Sequence, residues 1–142
     1  MLTAHDILRS KGHTVYSVRP TDSVLDALGV MAKHDVGGVL VLDGERLAGI
    51  FTERDYARKV VLAGRSSKDS PVSAVMTNHV ICVAPQRTVD ECMALMTERR
   101  VRHLPVLDHK RVVGVVSIGD LVKETIAEQQ FTITQLQLYI AS

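Results

Sequence analysis

Tryptophan is absent from the 142 residues, and aromatic residues together reach only 4%. The core must therefore be built from Val, Leu, Ile, Ala and Met, a Val-rich mixture that favours strands. Cys82 and Cys92 are the only cysteines, too few for a four-ligand zinc site and outside any Cys-x-x-Cys or Cys-His setting. No apolar run approaches the roughly 20 residues of a membrane span, and no basic-then-apolar leader opens the chain. A soluble, cytoplasmic protein is expected. Seventeen Lys and Arg against sixteen Asp and Glu leave a net charge of +1, which supplies no global field for nucleic acid or an anionic membrane. The histidines show no metal-ligand spacing, and no nucleophile–base pair or carboxylate couple stands out. No catalytic residue, metal or required cofactor is therefore assigned, and an enzyme is not expected.

What is present is a stretch that occurs twice. Gly49-Ile50-Phe51-Thr52-Glu53-Arg54-Asp55 returns as Gly114-Val115-Val116-Ser117-Ile118-Gly119-Asp120. Each copy reads as glycine, two apolar strand residues, a hydroxyl residue and an aspartate three positions on. A strand that ends in a hydroxyl and turns into a helix puts that hydroxyl at the N-cap, with the carboxylate one turn along. Taken singly, Thr-x-x-Asp and Ser-x-x-Asp are capping-box spacings and imply no ligand.

The rest of the chain follows the same period. Leu2–Lys11 predicts a short lead-in helix stopped by Gly12, and Thr14–Val18 a strand ended by Pro20. Thr21 or Asp22 caps a helix to about His34, with Val24, Leu28 and Met31 on its apolar face. Val39–Leu42 and Leu47–Phe51 read as strands joined at Asp43-Gly44, followed by a helix from Thr52 to about Ala63. Pro20, Asp43, Gly49 and Asp55 recur at Pro85, Asp108, Gly114 and Asp120, always at an offset of 65, and 12 of the 47 pairs between 14–60 and 79–125 are identical without a gap. Each half is thus strand, helix, strand, strand, helix, preceded by a short helix at 4–9 or 72–76. The expected organisation is a first repeat over 1–63, a linker over 64–73, a second repeat over 74–125 and a C-terminal helix over 126–142. The apolar excess of that last helix suits packing on the body or on a second subunit.

These features resemble tandem cystathionine-β-synthase (CBS) motifs, the pair called a Bateman module. The matching residues are Asp6-Ile7-Leu8 and Val75-Met76-Thr77 before the first strands, Val18-Arg19-Pro20 and Val83-Ala84-Pro85 at their ends, Arg102-His103-Leu104-Pro105-Val106, and both Gly-x-x-Thr/Ser-x-x-Asp stretches. The resemblance implies an α+β fold of two βαββα motifs packed through their sheets about a pseudo-two-fold axis, with ligand clefts between them. It also implies a homodimer, and adenine nucleotides (AMP, ADP, ATP or NAD) as ligands. Asp55 and Asp120 would accept from ribose hydroxyls, since charge-assisted bonds are the stronger ones. Thr52 and Ser117, with free N–H groups at the helix starts, would meet sugar or α-phosphate. Adenine would lie against Ser17, Ile50, Thr77, Cys82 and Val115, and phosphate against Arg102, His103 and Arg54. Gly37 and Gly38 match Arg102 and His103, Gly119 matches Arg54, and Gly12 matches Thr77, so unequal sites are expected.

Two functions fit this reading. One is a regulatory module that senses an adenosyl ligand and signals to an unidentified protein. The other is a dimerisation or protein-interaction module whose clefts are vestigial.

Overall fold

The computed structural model describes residues 1–141. Its elements, in chain order, are α1 (Ala4–Lys11), β1 (Ser17–Val18), α2 (Val24–His34), β2 (Gly38–Asp43), β3 (Arg46–Thr52), α3 (Glu53–Asp55), α4 (Val89–Arg99), β4 (His103–Asp108), β5 (Arg111–Ser117) and α5 (Ile118–Ala141). The fold is α+β with two small sheets. In the first, β1 runs parallel to β2 and β3 pairs antiparallel to β2; β4 and β5 form the second. Helix starts use the expected chemistry, although α2 is capped by Ser23 rather than by Thr21 or Asp22. The Thr3, Ser23 and Thr88 side chains each accept from the N–H three residues on, and Thr3 and Thr88 complete reciprocal capping boxes with Asp6 and Glu91.

Compactness does not follow the repeat boundaries. One compact unit comprises Thr14–Ile81 with His109–Val113; the other comprises Met1–His13, Cys82–Asp108 and the chain from Gly114 onward. Each repeat body is therefore joined by the other's lead-in. In the first unit, a single turn of 3-10 helix (Val72–Ala74) is held by Val72 N–H to the Asp22 carbonyl (2.7 Å) and Ser73 N–H to Pro20 (3.1 Å). Val72 and Val75 then join a core of Val18, Val24, Ala27, Met31, Val39, Val41, Phe51 and Val60. In the second unit, α1 donates through Ala4 N–H to Arg87 (2.8 Å) and His5 N–H to Pro85 (2.9 Å), and its Ala4, Ile7 and Leu8 are buried.

Several expectations change in detail. The hairpin turn of the first repeat falls on Gly44 and Glu45 rather than Asp43-Gly44, and that of the second on His109 and Lys110, both at positive φ (50° and 67°). The helix after Thr52 makes one α turn and then winds as a π-helix over Tyr56–Val61, closed by Leu62 N–H to Ala57 (3.0 Å). The last helix is continuous from Ile118 to Ala141 instead of beginning at 126. His34 stacks on Tyr16 with ring centroids 3.9 Å apart.

The first strand expected in the second repeat contracts to a single parallel bridge, Val83 with Val106. Its counterpart pairs Ser17 with Leu40 and Val18 with Val41, and Leu40 N–H donates to Tyr16 (3.1 Å). Leu40 is matched at offset 65 by Pro105, which has no N–H to donate. The Cys82–Pro105 pair is thus lost, and Cys82 lies half-buried outside any strand.

Candidate functional site: two strand-to-helix junctions

The glycine that opens each repeated stretch is there for room. A Cβ on Gly49 would stand 2.6 Å from Met76 Sδ and 2.8 Å from the Thr77 carbonyl oxygen; on Gly114 it would stand 2.5 Å from Leu8 Cδ2. Each glycine lets a lead-in press against the strand that carries the junction. At the first junction this contact brings Thr77 home, because Ile50 and Thr77 exchange both backbone hydrogen bonds (2.9 and 2.8 Å). Since Ser17 pairs with Leu40 and Leu40 with Ile50, the row Ser17–Leu40–Ile50–Thr77 runs unbroken across one sheet.

Asp55, only 6% exposed, sits at the end of that row. Its Oδ2 accepts from the Thr52 N–H (3.1 Å) and hydroxyl (3.2 Å), and its Oδ1 accepts from the Thr77 hydroxyl (2.9 Å) and the Lys59 ammonium (3.0 Å). A carboxylate has about four lone-pair sites, so Asp55 is fully committed within its own unit. The backbone is committed too. Thr52 Oγ1 accepts from Asp55 N–H (3.3 Å), and Glu53 N–H donates to the Gly37 carbonyl (3.0 Å). The helix start was expected to offer free N–H groups; those of Thr52, Glu53 and Asp55 are all taken.

The second junction is built from the same parts but left more open. Asp120 Oδ2 accepts from Ser117 N–H (2.8 Å) and from Lys11 Nζ (2.7 Å), which also donates to the Val115 carbonyl (2.9 Å). Ser117 Oγ accepts from Asp120 N–H (3.2 Å), and Ile118 N–H is taken by the Arg102 carbonyl (2.9 Å). The Ser117 hydroxyl is directed at the Asp120 carboxylate and helps to hold its charge, while Asp120 Oδ1 and the exposed Arg102 guanidinium carry no hydrogen bond among the described residues. Burial pushes the Asp120 carboxyl up, but the Lys11 ammonium and the Ser117 amide outweigh it and hold it below the usual carboxylate range.

The structure thus gathers Ile50, Thr52, Asp55 and Thr77 at one junction, and Val115, Ser117 and Asp120 at the other, with the Arg102 backbone beside it. Ser17 and Arg54 are exposed, and His103 begins β4 half-buried. Burial raises the Cys82 thiol, which keeps it a poor nucleophile. Two residues were missed. Lys59 was legible, being four positions after Asp55 on one helix. Lys11 was not, since 109 residues separate it from Asp120 and no local pattern joins them.

The comparisons with known proteins come to the same architecture. The CBS domain family model matches twice, over residues 4–62 and 72–126. The chain belongs to the CBS-domain family. The CBS domain-containing protein CBSX3, mitochondrial, of Arabidopsis thaliana is 40% identical over 97% of this chain and 71% of its own length. A solved putative signal-transduction protein with CBS domains from Burkholderia ambifaria is 55% identical, with a TM-score of 0.87 over 92% of this chain and 98% of the other. At 24% identity and a TM-score of 0.80, covering 90% of this chain and 98% of that one, the CBS-domain pair of protein MJ0100 shares the fold; it was solved with 5′-methylthioadenosine and S-adenosyl-L-methionine. No helix among the described residues is long and apolar enough to cross a membrane. The Arabidopsis relative is named as mitochondrial, so membership of the family does not carry the expected cytoplasmic location.

Proposed function

We propose that this CBS-domain pair is a regulatory module that binds an adenosyl ligand, AMP, ADP, ATP or NAD, and that the Asp120 junction is its principal site. The observation that carries this reading is the state of Asp120. One carboxylate oxygen is pinned by Lys11 and the Ser117 amide, while the other carries no hydrogen bond among the described residues. A ribose offers two adjacent hydroxyls, donors for such a carboxylate. Lys11 and Arg102 supply cations for a phosphate that follows the sugar. A chain of this fold holds two adenosyl compounds, which supports the ligand class; the choice of junction rests on the geometry of this one. The ligand stabilises the module, and the change passes to a regulated protein or to a second copy, with no reaction catalysed.

A second reading has its own support. Asp55 is filled by Thr52, Thr77 and Lys59, as a vestigial site in an interaction module would be. Thermal-shift measurement against AMP, ADP, ATP, NAD and S-adenosylmethionine separates the two. A ligand that binds only the folded state at 100 times its Kd adds about 2.7 kcal/mol of stability and raises Tm by roughly 5–10 °C in a chain of this size. No shift with any of the five favours the interaction module.

A further inference from the structure

From Ile126 to Ala141 every described residue of α5 is exposed. Isolated helices of that length are marginal in water, so this one needs a partner along its side. Its sequence says which. Val122, Ile126, Gln129, Ile133, Leu136 and Ile140 follow one another at spacings of 4, 3, 4, 3 and 4, the 3.5-residue period of a coiled-coil seam. Their exposures run from 39% at Val122 through 47% at Ile133 and 56% at Leu136 to 81% at Ile140.

We propose that α5 pairs in parallel with α5 of a second copy of this chain along that seam. Ile126, Ile133 and Ile140 take the a positions and Val122, Gln129 and Leu136 the d positions, and β-branched a with Leu at d is the combination that favours two parallel strands. Parallel pairing also sets Gln129 opposite its counterpart, where the amides can bond each other; antiparallel pairing would face each amide with an apolar side chain. Of the flanking e and g positions, Thr125, Gln130, Thr132, Gln137 and Tyr139 carry no charge. Lys123, the one that does, faces the g position five residues earlier, Ile118, in a parallel pair, so a symmetric pair meets no like-charge repulsion there. No Lys or Arg follows Lys123, which removes the cationic face that an anionic membrane surface would need. The seam and Tyr139 expose on the order of 700 Å² per copy, close to the ~800 Å² per partner of a standard interface.

Sedimentation velocity of the full chain at roughly 50 μM tests this. The wild type sediments at twice 15.6 kDa, Ile133→Glu/Leu136→Glu sediments as a monomer with an unchanged circular-dichroism melt below the helix, and Gln129→Leu dimerises more tightly. Gln129→Cys under mild oxidation gives a disulfide-linked dimer beyond the background from Cys82 and Cys92. A monomeric wild type, or a dimer that survives the double substitution, overturns the proposal. So does a Gln129→Cys protein with no extra cross-link, which contradicts the parallel register.

Discussion

Replacing Gly49 by alanine tests how the first junction is assembled. Gly49 has no positive φ, so alanine costs nothing in backbone conformation and, with open space around it, would stabilise by about 0.4–1 kcal/mol. The space is not open. The new methyl would stand 2.6 Å from Met76 Sδ and 2.8 Å from the Thr77 carbonyl oxygen. A side chain can rotate away, but a carbonyl retreats only with its segment. Overpacking of this kind costs about 1–3 kcal/mol, and losing the two Ile50–Thr77 backbone bonds adds about 1 kcal/mol each. A loss of about 3–5 kcal/mol is expected, a large part of the ~5–15 kcal/mol stability of a typical domain. Gly114→Ala meets only the Leu8 side chain, at 2.5 to 3.2 Å, and costs about 1–3 kcal/mol. Gly29→Ala, on an exposed helix face with nothing within 4 Å, gains about 0.5–1 kcal/mol. Urea unfolding with a shared m-value gives all three. A Gly49→Ala protein within about 0.5 kcal/mol of wild type, or one more stable than Gly114→Ala, would refute the reasoning.

Lys110 and Asp120 give two further outcomes. Lys110 holds φ of 67° in the second hairpin turn, beside His109 at 50°, where a side chain costs energy that glycine does not. Lys110→Gly is expected to stabilise by about 0.5–1 kcal/mol in urea titration, whereas the same change in a strained-free turn would destabilise. Asp120 has its pKa lowered in the fold, so its contribution is present above the ordinary value of 3.8 and is lost as pH falls through the lower folded value. The stability gap between wild type and Asp120→Asn, measured by urea unfolding, should stay constant through neutral pH and close in acid; a gap that widens in acid would contradict the sign.

Local patterns carried much of the fold. The offset of 65 located both junctions, the hydroxyl-to-aspartate spacing located the caps, and Gly12 ended α1 as expected. What periodicity does not contain is which pieces meet. Nothing near Leu2–Lys11 says that this helix packs beside Gly114 rather than Gly49, because that choice is made by burial of Ile7 and Leu8 across a hundred residues of chain. The same blindness hid Lys11. Pro105 was visible in the sequence, but its effect on the strand at Cys82 needed the pairing partner to be known. The saturation of Asp55 was hidden for a related reason. A capping box and a ribose-binding carboxylate share one spacing, and only the positions of Thr77 and Lys59 show how many of its lone pairs are already spent.

The most direct test of the account is calorimetric titration with AMP of the wild type, Gly29→Ala and Asp120→Asn, with melting curves to confirm that all three are folded. Removing the charge from Asp120 takes away charge-assisted bonds of about 1.5–3 kcal/mol. The tighter binding event should therefore weaken roughly 10- to 100-fold in Asp120→Asn and stay unchanged in Gly29→Ala. An Asp120→Asn protein that binds AMP as the wild type does would contradict the assignment of the principal site.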